Sequence, residues 1–404
     1  MAKVFRYKVI DINGEIHEGA HQAENRLEML KTIRSRGERP IRVDEKIEKG
    51  SARVDANLLS RNPKTKDLII FCRQLHTMLN AGMPLISALE VLIDQSENLK
   101  LKDALKNITS NVKKGEMLSE AMGRYKKYFP SLLISMIKSG EMTGNLDNVL
   151  QKMADHYDKE NKINTKIKRA MIYPVVLMVL AVSAVVFLLT FVLPIIIGMF
   201  EGSGVPLPLP TRIVLAISSA IRSHWYLFIA GIILIVLGYK AYVSSKRGKR
   251  MKDNLLLHLP FIKKPIKKVM TSRFTRTLST LLSSGIPIIE ALETSAKVTN
   301  NEILIEGIAD VSENIKKGDS LSALLGEMNL FPSMTVSMIH IGEESGAIEE
   351  MLEKTAEYYD DEVEAALDKL VAIIEPLGIV TMGLVIGFIV IAMMLPMFDM
   401  FKTI

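Results

Sequence analysis

Residues Phe71–Glu90 read FCRQLHTMLNAGMPLISALE, and residues Phe274–Glu293 read FTRTLSTLLSSGIPIIEALE, which repeats the pattern 203 positions later (274 − 71). Phenylalanine, arginine, leucine, glycine, proline and glutamate recur in register between the two stretches. A second match follows, because Tyr128–Glu141 (YFPSLLISMIKSGE) resembles Leu330–Glu343 (LFPSMTVSMIHIGE). This spacing is far longer than the period of a solenoid repeat. The chain therefore contains two copies of one domain.

Local signals inside each copy are helical. Apolar residues recur every three or four positions, and no stretch of either copy alternates with period two. Gly82 and Gly285 are suited to ending a helix, and Pro84 and Pro287 follow where the next helix begins. We predict that each copy is a bundle of about six short helices, the last of which continues into a membrane span.

Serines and glycines predict further helix ends. Ser119 and Ser322 stand where helix N-caps are expected. Gly115 and Gly318 each follow two lysines, a combination that suits a helix C-terminus. The two predicted cytoplasmic bundles span residues 68–169 and 271–370.

Three apolar runs are predicted to cross a bilayer, whose hydrocarbon core requires about 20 apolar residues in a helix. Met171–Phe200 contains no charged residue, whereas Trp225–Tyr239 is shorter and needs a snorkelling Lys240 to span the membrane. Long uncharged runs are rare in soluble cores, so membrane helices are favoured over buried core helices. The predicted transmembrane helices cover residues 170–200, 223–243 and 371–398.

Basic residues set the predicted orientation. They are concentrated at Lys159–Arg169 and Lys240–Lys252, on the outer flanks of the first two spans, and only Arg212 and Arg222 lie between these spans. The positive-inside rule therefore places the N-terminus and both bundles in the cytoplasm. The remaining predicted segments are a periplasmic loop at 201–222 and a cytoplasmic connector at 244–270.

The N-terminal residues differ because they alternate between polar and apolar side chains. The stretch FRYKVIDINGEIHEGAHQ predicts a hairpin with a type I′ turn at Asn13-Gly14. A helix over Glu24–Arg36 and a strand over Ile41–Val43 would complete a small α+β module. The N-terminal residues contain no apolar run of the kind found in signal peptides, so a signal peptide is not expected. The predicted module spans 1–45, and a polar, flexible linker spans 46–67.

The composition excludes several classes of protein. Of the 404 residues 48% are hydrophobic and 24% charged, and the mean hydropathy of +0.21 indicates soluble domains joined to membrane spans. The single cysteine, Cys72, excludes an intrachain disulfide and a cysteine-based zinc site. The net charge of +6 could suit nucleic acid, but aromatic residues amount to only 6% and do not alternate with basic ones. Direct binding of nucleic acid is therefore not expected.

No sequence motif of a catalytic site is present. The chain lacks a G-x-x-x-x-G-K-[ST] phosphate loop, an H-E-x-x-H zinc motif and a G-x-S-x-G elbow, and its seven histidines are scattered. We therefore expect no enzymatic activity, no cofactor and no metal. A polytopic membrane transporter or channel subunit is the alternative hypothesis, but carriers usually place ionisable groups near the bilayer midplane. The predicted spans offer only Glu375, near the cytoplasmic edge of the third span, where it either reaches water at the interface or contacts another helix.

A Gly-Glu-x-x-Gly turn closes the second matching stretch of each copy. In one interpretation the turn is helix punctuation, in which the glutamate favours the N-terminus of the following helix. In the other, the glutamate contacts a partner or the sister bundle, because the flanking glycines leave it unshielded. The candidate interface residues are Glu141, Gly144, Glu343, Gly346, Arg73, Arg276 and Glu375.

These motifs together resemble one family. Paired F-x-R-x-L…G-x-P…A-L-E, K-K-G-x-x-L-S and F-P…G-E-x-x-G segments, with proline-marked spans, are similar to the inner-membrane platform proteins of type IV pili and type II secretion systems, the PilC/GspF family. The resemblance covers almost the whole chain, including the F-x-Y-K-x-x-D…G-E-x-x-E-G opening. The G-E-E-S-G turn and Tyr358–Val363 (YYDDEV) look closer to the pilus branch.

The resemblance implies a non-enzymatic scaffold in the bacterial inner membrane, with a cytoplasmic N-terminus. It implies association with itself, as a dimer or a higher oligomer, and with other inner-membrane assembly proteins. Its partners would be a cytoplasmic hexameric assembly ATPase and pilin or pseudopilin subunits in the lipid bilayer. The resemblance leaves open the oligomer size, the particular ATPase and pilin, and whether the machine extends, retracts, takes up DNA or secretes.

Overall fold

The computed structural model describes residues 3–10, 16–23, 39–45, 62–198 and 208–401 of the chain. Three antiparallel strands form a sheet at the N-terminal end. The central strand β1 (Lys3–Ile10) pairs with β2 (Ile16–Ala23) on one side and with β3 (Arg39–Glu45) on the other. The predicted Asn13-Gly14 turn and the predicted helix Glu24–Arg36 lie outside the described residues, so the α+β module as a whole stays a prediction.

Six helices form the first copy of the repeat. They are α1 (Thr65–Asn80), α2 (Leu85–Gln95), α3 (Leu99–Val112), α4 (Leu118–Gly123), α5 (Ser131–Thr143) and α6 (Leu146–Phe187). Pro84 and Pro130 immediately precede α2 and α5, where the fixed φ of proline suits entry into a helix. Gly82 and Gly115 turn the chain with φ of 80° and 92°, in the left-handed region that glycine reaches without strain.

The helix that leaves the first bundle continues well beyond it. After α6, one π-helical turn (Leu188–Val192) leads into α7 (Leu193–Gly198). Two further helices, α8 (Leu209–Ser244) and α9 (Lys246–His258), connect to the second copy. Helix α8 is kinked at His224, whose φ of −126° and ψ of 24° are not helical. The predicted span 223–243 thus begins at a kink, and the helix extends back to Leu209.

The second copy repeats the first. Its helices are α10 (Pro260–Leu282), α11 (Ile288–Thr299), α12 (Glu302–Ile315), α13 (Leu321–Glu327), α14 (Ser333–Ser345) and α15 (Ile348–Phe401). Gly285 and Gly318 adopt positive φ at the same turns as Gly82 and Gly115. The glycine positions predicted to end helices are therefore confirmed in both copies.

Equivalent side chains make equivalent contacts in the two copies. The ring centroids of Phe71 and Phe129 are 5.6 Å apart, and those of Phe274 and Phe331 are 4.9 Å apart. One apolar core contains buried residues from both bundles. The two bundles therefore pack against each other as parts of a single unit.

The single cysteine lies in the core of the first bundle. Cys72 has no exposed surface, and burial raises the pKa of its thiol. Thr275 holds the equivalent position in the second bundle, where its hydroxyl donates a hydrogen bond of 2.9 Å to the Thr271 carbonyl. The position therefore accepts either a thiol or a hydroxyl, provided that the hydroxyl donates a hydrogen bond to a carbonyl of its own helix.

Within the described residues, three helical segments are long and apolar enough to cross a membrane, namely Leu146–Gly198, Leu209–Ser244 and Ile348–Pro396. Almost none of their most apolar residues are buried inside the protein. Core helices would bury such residues, whereas membrane helices present them to lipid. The prediction of three helices able to cross a membrane is therefore confirmed, while the predicted limits of the spans stay a prediction.

Candidate functional site

The repeated glutamate of the first copy caps a helix in its own bundle. Glu141 lies on α5, and its carboxylate oxygens accept hydrogen bonds from the backbone N–H groups of Leu118 (2.5 Å) and Ser119 (2.9 Å). These are the first two residues of α4, whose N–H groups have no partner within the helix. A negative charge at this end also interacts favourably with the helix dipole.

The second copy repeats the cap and adds one bond. Glu343 accepts from the backbone N–H groups of Leu321 (2.6 Å) and Ser322 (2.9 Å) at the start of α13, and from the Ser320 hydroxyl (2.8 Å). Burial alone would raise the pKa of the Glu343 carboxyl, but the bonds from Ser322, Ser320 and Leu321 outweigh it and lower this pKa. Glu343 is therefore held in its charged form.

Two details of the predicted helix caps are wrong. Ser119 and Ser322 are not N-caps but the second residues of α4 and α13, whose N-caps are Met117 and Ser320. In addition, each glutamate caps the short helix that precedes its own helix in the chain, rather than the helix that follows. The physical reason is tertiary, since α5 and α14 carry their carboxylates to helix ends some twenty residues upstream, as with Glu141 and Leu118.

The first glycine of each turn permits a close helix crossing. A Cβ at Gly140 would lie 3.1 Å from the Leu146 Cα, and a Cβ at Gly342 would lie 2.8 Å from the Ile348 Cα. The backbones of α5 and α6 therefore approach each other closely, and so do those of α14 and α15. Any residue other than glycine at position 140 or 342 would force the neighbouring helix to shift.

The second glycine of each turn ends the helix. Gly144 and Gly346 both have φ of 69°, and their N–H groups donate to the carbonyls of Gly140 and Gly342. Within the chain the whole motif thus serves the fold of its own bundle. A contact of Glu141, Gly144, Glu343 or Gly346 with a partner stays a prediction.

The paired arginines have different surroundings in the two copies. Arg276 is 6% exposed and binds the Asp360 carboxylate on α15. Arg73, at the equivalent position of α1, is exposed. The counterpart of Asp360 is Asp158, which pairs with Lys162 of its own helix at 2.9 Å. The repeat therefore buries one arginine and leaves the other at the surface.

Polar side chains join the two bundles. The Ser139 hydroxyl on α5 donates to the Ser284 carbonyl (2.9 Å), and the Lys152 ammonium on α6 donates to the Ser283 carbonyl (2.7 Å). Both acceptors lie in the turn after α10, which contains Gly285. The first bundle thus holds this turn of the second bundle through its helices α5 and α6.

A cavity of about 490 Å³ lies between α6, α10 and α15. Its lining mixes charges of both signs, including Lys159, Glu353 and Arg276. His156 also lines it, and burial, followed by the positive charges of Arg276 and Lys159, lowers the pKa of this histidine to about 3. The imidazole is therefore neutral, and neither ring nitrogen has a partner within the described residues.

Glu375 makes the interhelical contact that was one of its two predicted roles. The Tyr173 hydroxyl on α6 donates to the Glu375 carboxylate on α15 at 2.9 Å. Nearby, a Cβ at Gly378 would lie 2.8 Å from the Leu177 Cδ2. The two membrane helices therefore cross at close range beside this hydrogen bond.

Pro194 leaves a carbonyl in the first membrane helix without a main-chain donor. The Leu193 N–H donates to the Leu188 carbonyl within the π-helical turn, and Pro194 has no N–H to offer the Leu189 carbonyl. The Ser218 hydroxyl on α8 supplies the missing donor at 2.5 Å, in a buried position.

The third membrane helix shows the same arrangement. Pro396 removes the donor that the Ala392 carbonyl would otherwise receive from four residues ahead. The Thr211 hydroxyl, also on α8, donates to this carbonyl at 2.5 Å and is fully buried. The first part of α8 is thus fixed to both helices through carbonyls freed by proline. Ser218 and Thr211 were not predicted from the sequence, although the prolines at equivalent positions of the repeats were a usable signal.

Among the described residues, no group of three or more histidine, cysteine, aspartate or glutamate side chains could hold a metal ion. The arrangement instead joins helices to helices, by carboxylate caps in the bundles and hydroxyl donors at the membrane helices. The fold defines a class: a membrane protein built on a duplicated helical bundle, each copy continuing into a membrane helix.

The chain belongs to the family of type II secretion system protein F, whose model matches residues 71–194 and 274–396. Type IV pilus assembly protein PilC of Thermus thermophilus is 37% identical over 99% of this chain and 98% of its own. PilC of Myxococcus xanthus is 34% identical over 96% and 93%. Type II secretion system protein F of Vibrio cholerae is 33% identical over 98% of both chains. The resemblance identified from the repeated motifs is confirmed.

Proposed function

We propose that this protein is an inner-membrane platform of a type IV pilus assembly machine or of the related type II secretion machine. It would connect a cytoplasmic hexameric ATPase to the insertion or removal of pilin or pseudopilin subunits. The observation that carries the proposal is the continuity of α6 and α15. Each begins inside a helical bundle and continues as one helix into a predicted membrane span, from Leu146 to Phe187 and from Ile348 to Phe401.

Continuity of this kind suits the transmission of movement. A helix does not change its rise or twist readily along its length, so rotation or displacement of a bundle displaces the membrane end of the same helix. The cap at Glu343 and the contact between Lys152 and Ser283 stiffen the bundles at the origin of these helices. The relatives named for pilus assembly and for secretion support the biological setting.

The partners are tested by purifying the tagged protein from its own cells after mild crosslinking and identifying what accompanies it. We expect the assembly ATPase, a pilin or pseudopilin, and other membrane components of the same machine. Recovery of neither an ATPase nor a pilin, from cells that are assembling filaments or secreting, would overturn the proposal.

Coupling through α6 is tested by inserting two glycines after Lys168, between the bundle and the membrane segment. The insertion rotates the following helix by about 200°, because each residue turns an α-helix by about 100°. We expect normal membrane insertion and partner binding but loss of filament assembly or secretion. The matched control inserts two glycines after Gly318, in the turn before α13, and should retain most activity. Full activity of the α6 insertion would contradict coupling through this helix.

A further inference from the structure

Apart from the packing of α6 on α15, which includes the ion pair of Lys166 with Glu364, the two bundles of one chain contact each other through different surfaces. The first bundle uses the α5–α6 face, defined by Ser139, Lys152 and His156. The second bundle uses the α10 face, defined by Arg276, Ser283 and Ser284, and the contacts are Ser139 with Ser284, Lys152 with Ser283, and His156 beside Arg276. Such a contact is heterologous, since the two bundles use different patches of their surfaces.

Because the bundles are copies, each surface has a counterpart on the other bundle. The counterpart of the α5–α6 face is the α14–α15 face of the second bundle. The counterpart of the α10 face is the α1 face of the first bundle. The α14–α15 face consists of Ile341, Lys354 and Tyr358, and the α1 face consists of Arg73, Asn80 and Ala81.

Both counterpart faces are exposed in the single chain. Ile341 is 49% exposed and Tyr358 is 43% exposed, whereas His156, the equivalent of Tyr358, is 5% exposed. Arg73, Asn80 and Ala81 are exposed as well, and Ile70, one turn before Arg73 on α1, is 53% exposed. The contact is made once inside the chain. It therefore leaves the α1 face of the first bundle and the α14–α15 face of the second bundle without a partner bundle within the chain.

Three of the four residue changes between the copies make the unused halves more apolar, and the halves stay complementary. Ser139 facing Ser284 becomes Ile341, which would face Ala81. His156 beside Arg276 becomes Tyr358, whose ring would lie beside Arg73, an arrangement that favours a cation–π contact. Lys152, which donates to the Ser283 carbonyl, corresponds to Lys354, and Ser283 corresponds to Asn80. Lys354 would therefore contact Asn80.

We propose that a second copy of this chain docks its α1 face on the α14–α15 face, repeating between chains the contact that the two bundles make within one chain. A heterologous contact generates a ring when its rotation closes. The proposal specifies the surfaces for the self-association that the family resemblance implies, and its test does not depend on filament assembly.

The test is crosslinking between two differently tagged chains expressed together in membranes, both carrying Cys72→Thr. One chain carries Ala81→Cys and the other Ile341→Cys, so that no crosslink can form within a chain. We expect a short bismaleimide to give a crosslinked pair containing both tags. As an internal ruler, Ser139→Cys with Ser284→Cys on one chain should crosslink intramolecularly. A working ruler without the mixed-tag product would overturn the proposal.

Two controls separate this contact from random collision and from a twofold dimer. Lys106→Cys with Lys317→Cys, both exposed and outside the four faces, should give little product, and an equal yield would refute the proposal. A main product joining two Ile341→Cys chains would indicate an isologous contact and would also refute it.

Specificity is tested by placing a charge in the apolar contact. Ile341→Asp should lower the yield of an Asn80→Cys and Lys354→Cys crosslink about tenfold, which corresponds to about 1.4 kcal/mol of association free energy. The matched control is Met142→Asp on α5, where the side chain is 71% exposed and lies outside both contacts. Equal yields with the two aspartates would contradict the proposed surface.

Discussion

Tyr173 and Glu375 occupy the same position in the two copies of the repeat, 202 residues apart, and they are hydrogen-bonded to each other at 2.9 Å. Each residue is followed by a proline inside a membrane helix, Pro174 or Pro376. The two membrane helices therefore meet at this repeated position through a contact whose chemistry is not symmetric. One copy contributes the donor and the other the acceptor, so the duplication has diverged at the point where the copies meet.

The first prediction concerns the role of that carboxylate. Glu375→Gln should retain most filament assembly or secretion, because the amide oxygen still accepts from Tyr173. Tyr173→Phe should weaken the crossing by about 0.6–1.7 kcal/mol, the range for hydrogen bonds between membrane helices. Thermal unfolding of the detergent-purified protein measures the second effect. If Glu375→Gln is inactive while its stability is unchanged, the carboxylate acts through its charge, as the transporter hypothesis would require.

The second prediction concerns the helix cap at Glu343. Glu343→Gln removes a charge-assisted acceptor for Leu321 and Ser322, and should lower the free energy of unfolding by about 1–3 kcal/mol at neutral pH. The adjacent Glu344, which is exposed on the same helix, provides the control substitution Glu344→Gln. Chemical unfolding followed by circular dichroism measures both. Equal stability of the two variants would show that the negative charge of the cap contributes nothing to stability.

The third prediction is a double-mutant cycle on the freed carbonyls. Ser218→Ala leaves the buried Leu189 carbonyl without a donor, at a cost of about 1–3 kcal/mol. Pro194→Ala restores a main-chain N–H to this part of the helix, so Ser218→Ala should cost much less in that background. Limited proteolysis and thermal unfolding report the difference. Thr211→Val with Pro396→Ala tests the same logic at the Ala392 carbonyl. Additive effects in both cycles would contradict the pairing.

The fourth prediction is a dependence on pH. The folded-state pKa of His156 is about 3, below the ordinary value of about 6.5 expected when unfolded. The unfolded chain therefore takes up this proton first, and stability that is complete above about pH 6.5 is lost as the pH falls toward about 3, by about 1.4 kcal/mol per unit. His156→Phe should flatten this slope between pH 6.5 and 5. The exposed His340→Phe should not, and equal slopes for all three proteins would contradict the assignment.

The fifth prediction fixes the orientation. In a Cys72→Thr background, Ser203→Cys should react with an impermeant thiol reagent added to sealed cells whose outer membrane is permeabilised. Lys64→Cys and Lys317→Cys should react only after the inner membrane is opened, because the positive-inside rule places both on the cytoplasmic side. Labelling of Lys317→Cys in sealed cells would overturn the three-span orientation.

Features that depend on neighbours in sequence were predictable. The membrane helices follow from uncharged runs, and the helix ends at Gly82 and Gly285 follow from a glycine before a proline. The role of Glu141 was not predictable, because its acceptor function depends on how α5 crosses the start of α4. His156 and Ser218 escaped notice for the same reason, since burial and a freed carbonyl are properties of packing. The exposed Arg73 and buried Arg276 show the limit most clearly, because identical motifs acquire different environments.

Because Cys72 is buried, the reactivity of its thiol reports how often the helices of the first bundle separate. The thiolate is the reactive form, so a fully buried thiol with a raised pKa reacts only when the surrounding helices separate. Since Thr275 stands at the equivalent position, the second bundle contributes no competing signal. The rate of thiol modification in the unaltered protein therefore measures the breathing of one copy of the duplicated domain separately from that of its twin.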